Sequence, residues 1–360
     1  MRKGKSIIVI GGSNSVKPSG WTKELANRAV WASDGYALRN LSAGANSSLM
    51  GLSRLIEGPL PQPDENPVVV WEYAINDVVN LGYEDRMTCE VLLANVERIV
   101  RECLHRGLAF VPLVLREHDA LTGDLAANYY AGLARLFAHY DLVVADATER
   151  LLALVDGSAE ALYSDPLHFR ARRPSRTIAN CVIRAVQEAR PPASVPPLHL
   201  ERDVSHVFLD RFEGVERRTF TNSLLSIDYH MVGEGPALAD PLEVDARLLG
   251  VAGLCYLRAG PIAVMARRNT VHLMTSPRAG KINPQLRLVP VESLLGEGLP
   301  VPAGARVGVQ YSGAVRSHAA SNFLPSRPGQ QLEAKFGLQG LLLEVPAAPP
   351  EQLEAVPQQG

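Results

Sequence analysis

The chain has 360 residues, 46% of them apolar, which is enough for a large core and, by length, for two domains. Its 36 basic and 38 acidic residues leave a formal charge of -2, a balance that points to neither a nucleic-acid nor an anionic-membrane partner. The four cysteines (Cys89, Cys103, Cys181, Cys255) are scattered without Cys-x-x-Cys spacing, which argues against a disulfide framework or zinc site and predicts buried free thiols.

The N-terminus Met1-Arg2-Lys3-Gly4-Lys5 is basic, but the apolar run behind it is too short for a signal sequence and ends in Gly-Gly-Ser-Asn-Ser. No stretch approaches the roughly 18 apolar residues of a membrane span, so a cytoplasmic location is the expectation. Ile7–Ile10 is apolar and β-branched and predicts a buried parallel strand. A helix over Thr22–Ser33, a short strand at Tyr36–Leu41 and a helix over Ser47–Ile56 follow, and then a strand at Pro67–Tyr73. Thr88–Arg106 predicts a long amphipathic helix with Val91, Leu92, Val96, Ile99, Val100 and Cys103 on one stripe and Arg98, Arg101 and Glu102 elsewhere. Leu108–Leu115 and Asp141–Ala145 predict strands around a helix at Asp124–Ala138, and Arg173–Arg190 predicts the closing helix.

This alternation predicts an α/β fold over residues 1–190: a doubly wound, flavodoxin-like, five-stranded parallel sheet with helices on both faces. Residues 191–203 begin with Pro-Pro-Ala-Ser-Val-Pro-Pro and predict a proline-rich linker. Beyond it, strand-like runs at Val204–Leu209, Thr219–Met231, Leu242–Leu249, Gly253–Arg258, Ile262–Ala266, Thr270–Met274, Leu286–Pro290, Arg306–Tyr311 and Gly340–Val345 predict a mostly antiparallel, sandwich-like β domain over 204–345. The tail 346–360 is rich in Pro, Gln, Glu and Ala and predicts disorder.

Four separated segments carry the chemistry: Gly11-Gly12-Ser13-Asn14-Ser15, Asn40-Leu41-Ser42-Ala43-Gly44-Ala45-Asn46, Glu72-Tyr73-Ala74-Ile75-Asn76-Asp77 and Asp165-Pro166-Leu167-His168. Singly, each has an ordinary reading. Gly-Gly-Ser is a common strand-to-helix turn, Asn-Asp an Asx turn, and Asp165 a helix N-cap. Together, in order, each follows a predicted strand or lies in the loop after the last one, and a doubly wound sheet brings those places to one edge.

In order and placement the segments resemble the four blocks of the SGNH (GDSL-type) hydrolases, over about residues 6–190. The resemblance implies Ser13 as nucleophile, His168 as general base and Asp165 as the carboxylate that orients it. It implies an oxyanion hole made of the Ser13 and Gly44 N–H groups and the Asn76 side-chain amide. Such a serine needs an imidazole to take its proton, and the developing oxyanion needs donors. The sequence departs from the family pattern at Gly12, where that family has aspartate, and at Ala74, where it has glycine.

The implied activity is ester hydrolysis through an acyl-Ser13 intermediate, with small acyl groups such as acetyl on a carbohydrate or related small-molecule alcohol as substrate and no cofactor or metal. Two rival readings remain: an O-acyltransferase that uses the same residues on a glycan acceptor, and an inactive carbohydrate-binding protein. Ser15 is the rival nucleophile. Glu72 and Asp77 are expected to hydrogen-bond their loop, Trp71 to pack in the core, and the run Arg170–Arg176 to be a solvated loop. The remaining histidines (His105, His118, His139, His199, His206, His230, His272, His318) lack metal-ligand spacing.

Overall fold

Runs such as Ile7–Ile10 and Val68–Val70 have no polar face, so they need cover on both sides. A computed structural model describes residues 6–29, 37–58, 67–81, 87–118, 126–155, 158–222, 225–233, 235–277, 284–313 and 332–347. It opens with β1 (Ser6–Gly11), α1 (Ser13–Val16), α2 (Trp21–Ala29), β2 (Ala37–Asn40), α3 (Ser48–Glu57), β3 (Val68–Glu72), α4 (Ala74–Asn80) and α5 (Cys89–His105). There follow β4 (Ala109–Val114), α6 (Ala127–His139), β5 (Ala145–Asp146), α7 (Thr148–Leu152), a short hairpin of β6 (Tyr163–Asp165) and β7 (His168–Phe169), and α8 (Arg173–Glu188).

The strands pair in parallel in the order β2-β1-β3-β4-β5, as the doubly wound reading requires. Side-chain alternation sorts the central strands onto two cores. Ile8, Ile10, Val69, Trp71 and Phe110 pack with α3, α5 and α6, whereas Ile7, Val9, Val68, Val70 and Val111 pack with α2 and α8. The fifth strand is shorter than predicted and lies later, because Asp141 turns the chain out of α6 in a left-handed conformation (φ 52°) and Val143-Val144 run as connector. Parts of four predicted elements (residues 30–33, Tyr36, 124–125 and 223–224) lie outside the described residues.

The second half comprises β8 (Val204–Leu209), β9 (Phe212–Glu213), β10 (Arg217–Thr221), β11 (Ser226–Val232), β12 (Ala237–Ala239), β13 (Ala246–Cys255), β14 (Ile262–Ala266) and β15 (Asn269–Leu273). It ends with β16 (Gln285–Pro290), α9 (Glu292–Leu295), β17 (Leu299–Val301), β18 (Val307–Tyr311) and β19 (Phe336–Pro346). These antiparallel strands form two sheets: β10-β11-β19-β13-β16, with β17 and β8 attached to β13 and β19, and β15-β14-β18-β12-β9. Two predicted boundaries shift for identifiable reasons. Thr219–Met231 is a hairpin, closed where Asn222 Oδ1 accepts from Leu225 N–H at 3.0 Å. The runs on either side of Gly250 and Gly253 are one strand, β13, in which those glycines sit at register shifts rather than at breaks. Of the predicted disordered tail, only Pro346 and Ala347 are among the described residues.

The seven-stranded sheet is covered on both faces. Leu248, Val251, Val289, Leu341 and Leu343 face the five-stranded sheet, while Leu249, Ala252, Leu288 and Leu342 join the core of α3 and α5. The polar stripe of α5 is therefore buried rather than solvated. Arg98 Nε donates to Glu344 at 2.8 Å, Arg101 pairs with Asp203, and Glu102 meets both Arg106 and His206. Glu97, fully buried, accepts from Tyr140 Oη (2.7 Å) and from the N–H groups of Leu198, His199 and Leu200 (2.5, 2.6 and 2.9 Å). The proline-rich segment is thus pinned along α5. No described helix is long and apolar enough to cross a membrane.

Candidate active site

β1 delivers the chain to a sharp turn at the C-terminal edge of the sheet. Gly12 N–H donates to Glu72 O at 2.8 Å, and Ser13 opens the single turn α1. Gly12 has an ordinary φ of -85°, but a Cβ built on it would overlap the Asn76 side-chain amide. With Asn76 placed as it is, only glycine fits at this position.

His168 Nε2 lies 2.7 Å from Ser13 Oγ, and His168 Nδ1 lies 2.7 Å from Asp165 Oδ1. With the proton on Nδ1, the imidazole donates to Asp165 and presents a free lone pair to the Ser13 hydroxyl. Partial burial pushes the Asp165 carboxyl upward, but the hydrogen bonds from His168 and the Leu167 N–H outweigh it and hold the group below its ordinary value. Both side chains face solvent, 33% exposed at His168 and 48% at Asp165. Asn14, only 4% exposed, grips the base-bearing hairpin on either side of His168: its Nδ2 donates to Leu167 O (2.9 Å) and its Oδ1 accepts from Phe169 N–H (3.1 Å). Lys17 Nζ donates to Phe169 O at 2.9 Å.

The second segment runs alongside. Leu41 N–H donates to Val9 O and Ala43 N–H to Gly11 O, at 2.8 and 3.0 Å, which lays Gly44 against Ser13. A Cβ built on Gly44 would sit 3.5 Å from Ser13 Cα. Ala45 follows in the left-handed region (φ 56°), a conformation that costs a non-glycine residue about 1 kcal/mol or more. Asn76 sits in the first turn of α4 and is half-buried. Among the described residues, the Ser13 N–H, the Gly44 N–H and the Asn76 amide donate to nothing, and Gly44 packs on Ser13 while the Asn76 amide packs on Gly12.

Beneath this surface the carboxylates do structural work. Ser15 is fully buried and donates to Glu72 Oε2 at 2.6 Å, so it points away from His168. Burial pushes Glu72 up to about 7, against the hydrogen bonds from Ser15 and Gly12 that lower it, with nearby Asp77 adding to the rise. Glu72 Oε1 has no partner among the described residues. Asp77 accepts from Ser48 N–H (2.9 Å), Ser48 Oγ (2.5 Å) and Tyr129 Oη (2.8 Å), tying α4 to the start of α3. Burial raises it to about 6, those hydrogen bonds notwithstanding. Trp71 is in the core and donates to Ser48 Oγ at 2.9 Å.

Arg170, Arg172, Arg173 and Arg176 are exposed. The described histidines outside the hairpin form no metal cluster with Cys, Asp or Glu among the described residues, and His318 lies outside them. The cysteines that predicted no disulfide are all free thiols. A cavity of about 270 Å³ between α5, the 198–204 segment and β13 contains none of the residues that gather at Ser13. Asn14 was not singled out by the sequence, nor were the hydrogen bonds of Arg287 to Ala45 O and of Asn46 to the backbone of Leu286 and Leu288. Arg287 lies in a different sheet, and no local spacing links it to Ala45.

No family model matches the sequence, and no curated protein matches it. Solved structures do. The structure of TesA is 19% identical, with a TM-score of 0.42, over 51% of this chain and 99% of that one. The acetyl xylan esterase AlAXEase is 17% identical, with a TM-score of 0.42, over 50% and 99%. Axe2, an acetylxylan esterase from Geobacillus stearothermophilus, is 15% identical, with a TM-score of 0.42, over 52% and 96%.

Proposed function

We propose that the chain is a serine ester hydrolase acting through an acyl-Ser13 intermediate. The observation that carries this reading is the continuous Asp165–His168–Ser13 relay, with 2.7 Å at each step. Ser13 Oγ attacks the ester carbonyl carbon as His168 Nε2 takes the hydroxyl proton, and Asp165 holds the resulting imidazolium through Nδ1–H. The tetrahedral oxyanion is held by the Ser13 and Gly44 N–H groups and the Asn76 amide. Collapse breaks the bond to the alcohol oxygen, which takes the proton from His168 Nε2 and leaves. A water then gives its proton to the same nitrogen as it attacks the acyl carbon; collapse breaks the bond to Ser13 Oγ, which takes that proton back from His168 Nε2, and the acid is released.

The exposure of His168 and Asp165 supports water as the acceptor, and a small acyl group such as acetyl on a carbohydrate hydroxyl is the substrate we favour. The test is labelling with a fluorophosphonate probe together with turnover of p-nitrophenyl esters and acetylated sugars. Ser13→Ala is expected to abolish both, and His168→Ala to lower turnover by at least about a thousandfold. No labelling of the wild-type chain, or undiminished turnover in Ser13→Ala, would falsify the reading. Product that grows with added acceptor alcohol would favour acyl transfer instead.

A further inference from the structure

The loop that presents Gly44 is fastened to the opposite end of the sequence. We infer that strand β16 belongs to the catalytic apparatus, with Arg287 and Asn46 acting as positioning residues for the Gly44 donor. The inference rests on the oxyanion-hole reading above. The donor N–H of Gly44 shares a planar peptide with the Ala43 carbonyl, so whatever fixes that carbonyl fixes the direction of the N–H. Asn46 Nδ2 reaches Ala43 O at 3.4 Å, Gly44 O at 2.9 Å and Leu286 O at 3.2 Å. Its Oδ1 accepts from Leu288 N–H at 2.9 Å, so one side chain joins the loop to two backbone groups of β16.

Arg287 supplies the second tie. Its guanidinium is buried and donates to the carbonyl of Ala45, the residue in the left-handed conformation, while Gln285 Oε1 accepts from its Nε at 3.0 Å. Both of those partners are neutral oxygens, and no carboxylate pairs with Arg287 among the described residues. A cation buried with no carboxylate partner among the described residues is costly, so packing alone does not account for arginine at this position. Its hold on a strained turn next to an oxyanion donor does. Through it the second half of the chain, with no triad residue of its own, sets the geometry of the hole.

Full-length wild type, Ser13→Ala, Arg287→Met, Arg287→Lys and Asn46→Ser would be compared for kcat and KM on p-nitrophenyl acetate, for melting temperature, and for hydrogen exchange in residues 41–47. Arg287→Met and Asn46→Ser are expected to lower kcat by about ten- to a hundredfold with KM within about threefold. Arg287→Lys, which keeps one donor, should recover part of the loss. Exchange should quicken in 41–47 and not across the chain, and Arg287→Met should keep its melting temperature. Should Arg287→Met fail to fold, Asn46→Ser decides by the same kcat. Variants with wild-type kcat, while Ser13→Ala is inactive, would overturn the inference and leave the ester reading standing. A wild-type chain without ester turnover would overturn both.

Discussion

The Asn76 side-chain amide fills the space that any side chain on Gly12 would need. The two residues belong to the turns after β1 and β3, so the missing Cβ of one is what lets the other's amide lie against the turn that carries Ser13. Gly12→Asp, which restores the family residue, is therefore expected to lower kcat by about a hundredfold or more by displacing one oxyanion donor. Gly12→Ala should act in the same direction. Equal activity in Gly12→Asp, measured on p-nitrophenyl acetate, would remove Asn76 from the hole.

Asn14 is expected to matter more for rate than for binding, because it touches only the backbone on either side of His168. Asn14→Ala should lower kcat about tenfold and leave KM near its wild-type value. Asn14→Asp keeps the acceptor for the Phe169 N–H and loses the donor to Leu167 O, so its kcat should fall between the two. Rates of fluorophosphonate labelling at Ser13 provide the independent check.

Glu72 links the site to pH through stability. Its folded value, about 7, lies above the ordinary 4.5, so the folded chain holds a proton that the unfolded chain has released between those values. Stability from this group is full below about 4.5 and is lost as pH rises through about 7, by on the order of 3 kcal/mol. Glu72→Gln cannot titrate, and its melting temperature relative to wild type should rise between pH 5 and pH 8. A constant difference across that window would show that Glu72 does not titrate there.

Glu97 joins the pinned segment to α5 through three backbone hydrogen bonds, and accepts a fourth from Tyr140 Oη, in a fully buried position. Glu97→Ala leaves three backbone N–H groups unpaired and should cost on the order of 3 kcal/mol or more, read from chemical denaturation. A chain cut at residue 190 should bind a hydrophobic dye and lose cooperative unfolding, since it uncovers the faces of α3 and α5 that Leu249, Leu288 and Leu342 cover.

The parallel sheet was legible because its strands are unbroken apolar runs and its helices keep their period. The four candidate site segments were legible because three follow strands of the parallel sheet and the fourth lies in the loop after its last strand, and their residue types resemble a known set of sequence blocks. Three things were hidden. The Asn14 clamp and the Arg287–Ala45 tie join backbone groups to distant side chains, and backbone acceptors leave no mark in a sequence. The burial of Arg98, Arg101 and Glu102 depends on partners about a hundred or more positions away, so a polar stripe could not be told from a solvated one. Gly250 was read as a break between two strands because a glycine at a bulge and a glycine at a turn look alike.

Helix α3 begins directly after the Gly44 loop and lies between two sheets, with Ser48, Leu49, Met50, Gly51, Leu52, Ser53 and Leu55 all buried. A spacer wedged in this way meets solvent only toward its C-terminal end, at Arg54, Ile56 and Glu57, away from the Gly44 loop. On warming, the residues that frame the oxyanion should therefore keep their places until the surrounding layers separate. Heat inactivation and loss of the native fold would then share one midpoint, without the earlier softening of the site that a surface-borne loop would bring.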